Sequence, residues 1–333
     1  MPNSTDRWTA NYLRQRGYRP ECGDSECQDC TLRDGHGYDH NGYDQNGYDS
    51  DGYDQNGEDA RGNTRCANGE CDCYECESSR DARLYGYDYT PSLRFRGDKA
   101  PYYGMELEVT TDNVSSMLDV VESRAGSLIY AKEDSSVQGA ELVTHPMSYQ
   151  WAMESFPWSM LSEIRETGAT VIAEENGIHI HVGRDGFDSP SHLYRWMKFW
   201  YRNPRDIQRI ARRRADHWGA FNPDHRKAQI EHVKRDKPGY NYPADQTTQE
   251  RYAAINTTND ATLEVRVFAS TLRPQRAQAA LQLVAGTVEY TRGLTADVIT
   301  HRHGWDWQAF TSWAGKGGEY PALMAENRLR RYF

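Results

Sequence analysis

Three segments of this chain alternate apolar residues with charged or histidine side chains at a period of two. They read YYGMELEVTT (residues 102–111), NGIHIHVG (176–183) and ATLEVRVFASTL (261–272). In a β-strand, residues i and i+2 project from the same face, so each segment predicts a strand with one apolar face. The opposite faces would carry Glu106 with Glu108, His179 with His181, and Glu264 with Arg266. This pattern favours a sheet that is covered on one face and chemically active on the other.

Further strand and helix signals follow one another irregularly through residues 101–333. The segment SSVQGAELVTHP predicts a strand that carries Glu141 and ends at Pro146. Ser189 as N-cap and Pro190 at the first position begin a predicted helix,. Its apolar stripe consists of Leu193, Trp196, Met197 and Trp200,. Helical patterns also cover roughly 148–167 and 274–294. Because strands and helices do not alternate regularly, we expect an α+β fold with a mostly antiparallel sheet.

The three strand pairs together indicate a site for metal ions and phosphate. Two carboxylates at i and i+2 stand about 7 Å apart and repel unless a cation lies between them. Oxygen ligands of this kind suit Mg²⁺ or Mn²⁺ better than Zn²⁺, and arginine matches phosphate oxygens in pairs. Each pair alone is typical of a solvated sheet face or a salt bridge. Their recurrence in one predicted domain favours the site.

The three strands, with GAELVTHPMS and RYAAINTT, resemble in order the motifs of the amidoligase family, a branch of the carboxylate–amine ligases. The resemblance covers residues 100 to about 295. It implies a glutamine synthetase-like fold, a curved, mostly antiparallel sheet with helices packed on it, that binds ATP and two or three divalent cations (Mg²⁺ or Mn²⁺). The implied metal ligands are Glu106, Glu108, Glu141, His179 and Glu264. His181 and Arg266 would contact the nucleotide phosphates, and Asn256 and Arg251 would assist there, hold substrate or fix the sheet edge.

The implied function is an ATP-dependent carboxylate–amine ligase that forms an amide or isopeptide bond through an acyl phosphate. Arg266 and Glu141 are the residues we expect to act in catalysis. The substrates would be a carboxylate and an amine, and relatives in phages and bacteria suggest a peptide or cell-wall component. The alternatives are a metal-dependent hydrolase that uses the same Glu/His cluster and a non-catalytic binding protein whose strand pairs are exposed.

Two features depart from the resemblance, and other charged residues stay open. The short NG turn before His179 leaves the roles of the two histidines interchangeable, and His145 stands where a small residue or proline is usual. A general base is expected, with Lys132, Glu133 and Asp134 as candidates, although a solvated turn is the simpler interpretation. The basic run from Arg212 to Arg214 is interpreted as a solvated face that alternatively recruits an acidic substrate.

The first 100 residues lie outside the resemblance and divide into three parts. Residues 1–20 predict a short helix, residues 21–78 form a Cys-rich segment, and residues 79–100 are interpreted as a connector. A five-residue Gly-Tyr-Asp repeat runs from Gly37 to Arg61. Residues 34–59 hold eight Asp or Glu and no Lys or Arg, which favours a disordered spacer. Calcium binding is a weaker alternative: Asp49, Asp51, Gly52 and Glu58 have EF-hand-like offsets, but Gly47 occupies the first ligand position.

All seven cysteines lie within this N-terminal segment. Two C-x-x-C pairs, Cys27 with Cys30 and Cys73 with Cys76, predict a structural zinc site; free thiols are the alternative. The formal net charge of −10 argues against a nucleic-acid binder. No apolar run approaches the roughly 20 residues of a membrane helix, and the N-terminus lacks the apolar core of a secretory signal. A cytoplasmic protein is therefore expected, with its cysteines reduced or metal-bound.

Overall fold

A computed structural model describes nine ranges or single residues of the chain: 19–20, 32–33, 36–39, 41–50, 53–56, 58, 81–213, 221 and 253–329. Residues 1–80 and 81–333 form two separate units. The four predicted zinc ligands, Arg251 and most of the predicted first helix lie outside the described residues. No helix within the described ranges combines the length and apolar character needed to cross a membrane.

The N-terminal unit contains the pentapeptide repeat. Its two short strands, β1 (Arg19–Pro20) and β2 (Leu32–Arg33), pair antiparallel. In the repeat, Oδ1 of Asp44 accepts backbone N–H groups from Asn46 (2.8 Å) and Tyr48 (2.9 Å). Asp39 and Asp54 make the corresponding pairs of bonds. The described repeat residues therefore form recurring turns where the sequence predicts a spacer without structure, because each short Asp side chain binds the backbone that follows it.

The second unit is a mixed α+β structure with a mostly antiparallel open sheet. Its strands are β3 (Leu84–Tyr85), β4 (Tyr102–Thr110), β5 (Ile129–Lys132), β6 (Gly139–Thr144), β7 (Met147–Ser148), β8 (Gly177–Gly183), β9 (Ile255–Asn256) and β10 (Thr262–Ala269). The order across the sheet is β3-β5-β6-β4-β8-β10-β9, and β7 pairs with β4. Only the β3–β5 pair is parallel among the described strands. The predicted fold class is confirmed at this level.

Helices connect and cover these strands. They are α1 (Val114–Arg124), α2 (Tyr149–Ser155), α3 (Met160–Glu166), α4 (Pro190–Arg202), α5 (Pro204–Ala211), α6 (Pro274–Arg292), α7 (Ala296–His301), α8 (Trp307–Gly317) and α9 (Pro321–Leu329). The predicted start of α4 is confirmed: Oγ of Ser189 accepts the backbone N–H of His192 at 3.2 Å, and Pro190 is the first helical residue. The helical region predicted over 148–167 is two helices, since Pro157 cannot donate the backbone hydrogen bond that a continuous helix needs.

The alternating strands separate a core face from a polar face. In β4, Met105, Leu107 and Val109 are buried in the hydrophobic core. Their neighbours Glu106 and Glu108 project from the other face, as the period of two requires. The same separation holds in β8, whose core residues are Ile178, Ile180 and Val182, and in β10, whose core residues include Leu263 and Val265. The polar sides of three central strands are thereby brought to one surface.

Residues 84–85 belong to this sheet and not to a connector. β3 pairs with β5, and Arg83 beside it forms ion pairs with Asp119 (2.8 Å) and Glu122 (2.9 Å) of α1. A strand of only two residues carries too little periodicity to be recognised in a sequence. The expected connector over 79–100 is therefore wrong for these residues.

In the helical layer, the buried hydroxyl group of Thr287 accepts two hydrogen bonds. Its Oγ1 accepts the indole N–H groups of Trp196 and Trp200, both at 3.0 Å, and all three side chains are fully buried.

Thr287→Val keeps the shape of the side chain but leaves the two buried indole N–H groups without an acceptor. We expect it to lower the free energy of unfolding by about 2–4 kcal/mol, measured by urea denaturation. Thr291→Val is the matched control, because among the described residues the Oγ1 of Thr291 donates only to carbonyls of its own helix. Equal losses in the two variants would contradict the role of Thr287.

Candidate functional site

A polar cleft of about 730 Å³ lies on the charged face of the sheet. Its lining includes all six members of the three predicted strand pairs. The other lining residues are Tyr87, Lys132, Asp134, Ser135, Ser136, Glu141, Glu174, Glu175, Arg213, Asn256, Thr258 and Asn259. Residues from six strands and five loops thus share one space. Arg251, also expected here, lies outside the described residues.

Strand register places the ionisable groups directly opposite one another. Glu106 pairs with His179 across β4 and β8, and Glu264 pairs with His181 across β10 and β8. Glu108 of β4 stands opposite Glu141 of β6. Two like charges in such a cross-strand pair destabilise a sheet, so this pair in particular calls for a cation between them.

Glu106 connects the two histidines of β8. Its Oε2 lies 3.2 Å from Nδ1 of His179, and its Oε1 lies 3.1 Å from Nε2 of His181. Burial alone would raise the pKa of Glu106, but the charge of His181 and its contacts with His179 hold that pKa well below its ordinary value. Burial in turn would lower the pKa of His181, but the charge and hydrogen bond of Glu106 raise it to about 9. His181 is therefore a cation at neutral pH.

His179 is enclosed by carboxylates. Besides Glu106, its Nε2 lies 3.6 Å from Oε1 of Glu108, and its Nδ1 lies 3.5 Å from Oε1 of Glu264. Oε2 of Glu108 accepts the backbone N–H of Gly177. Burial raises the pKa of Glu108, although His179 and this hydrogen bond act in the opposite direction. His179 and three glutamates thus form the centre of the cleft.

Glu141 is the acid that this arrangement leaves without a partner. Among the described residues it accepts no hydrogen bond, and it is 7% exposed. Burial, together with the charges of Glu106, Asp134 and Glu108, raises the pKa of Glu141 to about 8, even though Lys132 lowers it. Without a bound cation, this carboxyl group is largely protonated at neutral pH.

The far side of the cleft is built by β9 and β10. Oε2 of Glu264 accepts the side-chain amide N–H of Asn256 at 2.8 Å, and Oε1 accepts Nη1–H of Arg266. Burial raises the pKa of Glu264, but the charges of His179 and Arg266 outweigh it and the pKa is lowered. Arg266 and Asn256 therefore fix this carboxylate in its charged form.

Three overlapping sets of these side chains are able to hold metal ions. In each set the ligand atoms lie within 4.8 Å of one another. The sets are Glu106, Glu141 and His179; Glu106, His181 and Glu264; and Glu108, Asp134 and Glu141. Their carboxylate oxygens and imidazole nitrogens suit Mg²⁺ or Mn²⁺. A cation bound there would also relieve the repulsion between the opposed carboxylates of Glu108 and Glu141. His181, the predicted phosphate contact, thus also belongs to one of these sets.

The candidate general bases do not all line the cleft, and His145, where the sequence departs from the resemblance, lies elsewhere. Lys132 pairs with Glu141 in the strand register and, like Asp134, lines the cleft. Glu133 does not line it; its backbone N–H binds the carbonyl of Tyr85. His145 lies outside the cleft, in a second cavity with Tyr130 and Arg94, and its Nδ1 accepts the backbone N–H of Arg94 at 3.4 Å.

The basic run at 212–214 is not a solvated face where the structure describes it. Nη2 of Arg212 binds the carboxylate of Glu326 at 2.6 Å. Arg213 is 6% exposed and lines the cleft. Arg212 has a positive φ of 58°, so the chain turns sharply after α5 and carries Arg213 inward. No periodic pattern in the sequence signals such a turn, so the sequence does not distinguish Arg213, which lines the cleft, from its basic neighbours.

Residues 92–290 match the profile of a family described as "Putative amidoligase enzyme". This range spans β4, β6, β8, β9 and β10, which supply the strand residues at the centre of the cleft. No curated protein matches the chain.

Proposed function

We propose, from the premise that this chain belongs to the amidoligase family, that it is an ATP-dependent carboxylate–amine ligase. The observation that carries the proposal is the cleft itself, where carboxylates and His179 adjoin two cationic groups, His181 and Arg266. A cluster of acids calls for divalent cations, and the adjacent cations suit phosphate oxygens. An enzyme that transfers phosphate from ATP needs both.

The reaction would join a carboxylate to an amine, and a peptide or cell-wall component is the substrate type we propose. A carboxylate anion is a poor electrophile. Transfer of the γ-phosphoryl group of ATP to one of its oxygens gives an acyl phosphate, and attack by a neutral amine then forms the amide and releases phosphate and ADP. Divalent cations held by Glu106, Glu108, Glu141, His179 and Glu264 would supply neutralisation of the phosphate charge.

The remaining residues of the cleft have roles that follow from their charges. Arg266 and the protonated His181 would donate hydrogen bonds to phosphate oxygens as charge builds there. Asn256 holds Glu264 in place through its amide. Lys132 and Asp134 are the candidates for handling the amine proton, because both line the cleft beside Glu141.

Neither alternative function accounts for the cleft as well. A hydrolase would use the same acids to activate water, but the cationic His181 and Arg266 would then have no particular task. A binding protein without catalysis predicts exposed strand pairs. Instead Glu108, His179 and Glu264 are only 4–6% exposed, and they converge.

Thermal-shift titration with ATP, with and without Mg²⁺, tests the proposed function without knowledge of the substrates. ATP at about 100 times its Kd should stabilise the protein by about 2.7 kcal/mol, and the rise in Tm should require Mg²⁺. Glu106→Ala and Arg266→Ala should abolish it, whereas Glu163→Ala, which alters an exposed ion pair with Arg124, should not. A folded protein that binds Mn²⁺ but responds to no nucleotide would instead favour the hydrolase.

A further inference from the structure

Arg213 is a buried cation in the cleft that the proposed chemistry has not used. It is 6% exposed. Its Nη2 donates to the backbone carbonyls of Glu174 (3.1 Å) and Glu175 (3.4 Å). Nη1 makes no hydrogen bond, and no carboxylate forms an ion pair with Arg213, within the part of the chain that the structure describes. Buried arginines are almost always paired, because an uncompensated buried charge is costly. The charges of Glu108 and Glu174 act on this guanidinium from a distance, but neither forms an ion pair with it, so the cleft could admit an anion at its open nitrogen.

The open nitrogen points to the Gly177 end of β8. A Cβ atom added to Gly177 would lie 2.9 Å from Nη1 of Arg213 and 3.1 Å from Nε2 of His179. Both atoms thus lie close to a strand residue that has no side chain. The backbone N–H of the same glycine holds Glu108. Arg213 therefore lies close to Glu108 and His179, two of the residues at the centre of the cleft.

One proposed phosphate contact, His181, lies toward the other end of β8. His181 is four residues from Gly177, which is about 13 Å along a strand. Glu264 of β10 pairs with His181 and, on its other side, with Asn256 of β9, whereas Arg266 follows Val265, the partner of Ile180, and stands nearer the middle of β8. The acidic cluster around His179 lies between the two ends. Two anions entering from opposite ends would therefore meet over this cluster, as transfer of phosphate to a carboxylate requires.

We infer that Arg213 and the cleft beside Gly177 form the subsite that binds a carboxylate group of the acid substrate. A carboxylate suits this end because one open guanidinium nitrogen provides a charge-assisted hydrogen bond to a singly charged oxyanion. The more highly charged phosphates face His181 and Arg266 instead. The inference rests on the proposed function, to which it adds the position of the acid substrate.

Ligand titrations of Arg213→Ala and Arg213→Gln test this subsite. Calorimetry or NMR would follow acetate and glutarate up to high millimolar concentrations, with and without Mg²⁺ and β,γ-methylene-ATP. We expect both variants to lose carboxylate affinity by about tenfold or more, with the affinities for Mg²⁺-nucleotide and for Mn²⁺ unchanged. Arg195→Ala is the matched control, because Nε of Arg195 also donates to a backbone carbonyl, that of Thr291, but does not line the cleft.

The other outcomes each contradict the inference in a recognisable way. Wild-type protein that binds neither carboxylate, or variants that bind them as well as wild type, would rule out the subsite. A tenfold loss of nucleotide affinity instead would make Arg213 a phosphate contact. A parallel loss of Mn²⁺ affinity would show that Arg213 only positions the turn before Gly177. Absence of nucleotide binding in the wild type would refute the ligase, while titration without nucleotide would still decide the role of Arg213.

Discussion

Replacing Glu141 with glutamine should raise the Tm of the metal-free protein and, in the same variant, weaken Mn²⁺ binding by at least about tenfold. Glu141 is buried, stands opposite Glu108, and accepts no hydrogen bond from the described residues. Its charge is therefore unfavourable unless a cation is present. An amide of the same shape removes the repulsion and also removes a metal ligand, so stability and affinity should change in opposite directions.

The gain in stability should depend on pH with a defined sign. Burial raises the pKa of Glu141 to about 8, above the value of the unfolded chain. Between these two values the folded protein holds a proton that the unfolded chain has released. Rising pH therefore destabilises the wild type, by up to about 1.4 kcal/mol per pH unit from this group. Glu141→Gln lacks this contribution, so the difference between the two proteins should widen towards pH 8 and then level off.

Urea denaturation in the presence of a chelator, at a series of pH values, measures this difference, and calorimetry measures Mn²⁺ affinity. Glu166→Gln is the control, because Glu166 is an exposed acid at the end of α3, outside the cleft. A variant less stable than wild type at pH 8, or one that binds Mn²⁺ equally well, would show that Glu141 is not part of a metal site.

The sequence was informative wherever a short period determines geometry. Because strand side chains alternate strictly, Glu106 and Glu108 had to share a face once Met105 and Leu107 entered the core. The same reasoning applies to the histidines of β8 and to Glu264 with Arg266. The fold class followed from the irregular order of strands and helices, and the start of α4 followed from Ser189 and Pro190.

Cross-strand partners and irregular turns were beyond such reasoning. The opposition of Glu108 and Glu141 depends on the register between β4 and β6, which long-range packing determines. The inward position of Arg213 depends on the left-handed conformation of Arg212 and on the turn that contains Glu174 and Glu175. Neither feature has a period that a single sequence displays. The position of His145 in a separate cavity likewise depends on contacts with residues some fifty positions earlier in the chain.

Replacing Glu106 with glutamine should lower the pKa of His181 by at least about two units, which is a change of more than about 100-fold in its protonation equilibrium. Burial and the charge of Arg266 both lower the pKa of this imidazole, and Glu106 is the main group that raises it. Without the carboxylate charge of Glu106, Glu264 is the acid among the described residues that still favours the cation. His181 should then be neutral at pH 7 and should no longer attract phosphate.

Two-dimensional NMR of the imidazole nitrogens, followed from about pH 5 to 10, measures both states of His181. His192 provides an internal control in the same spectra: it is buried, its Nε2 lies 2.9 Å from the carbonyl oxygen of Val288, and it is outside the cleft, so its titration should not change. The wild-type contribution of His181 to stability should be complete below its ordinary pKa and lost as pH rises through about 9. His181 that still titrates near pH 9 after Glu106→Gln would mean that another acid, Glu264 in the first place, stabilises its protonated form.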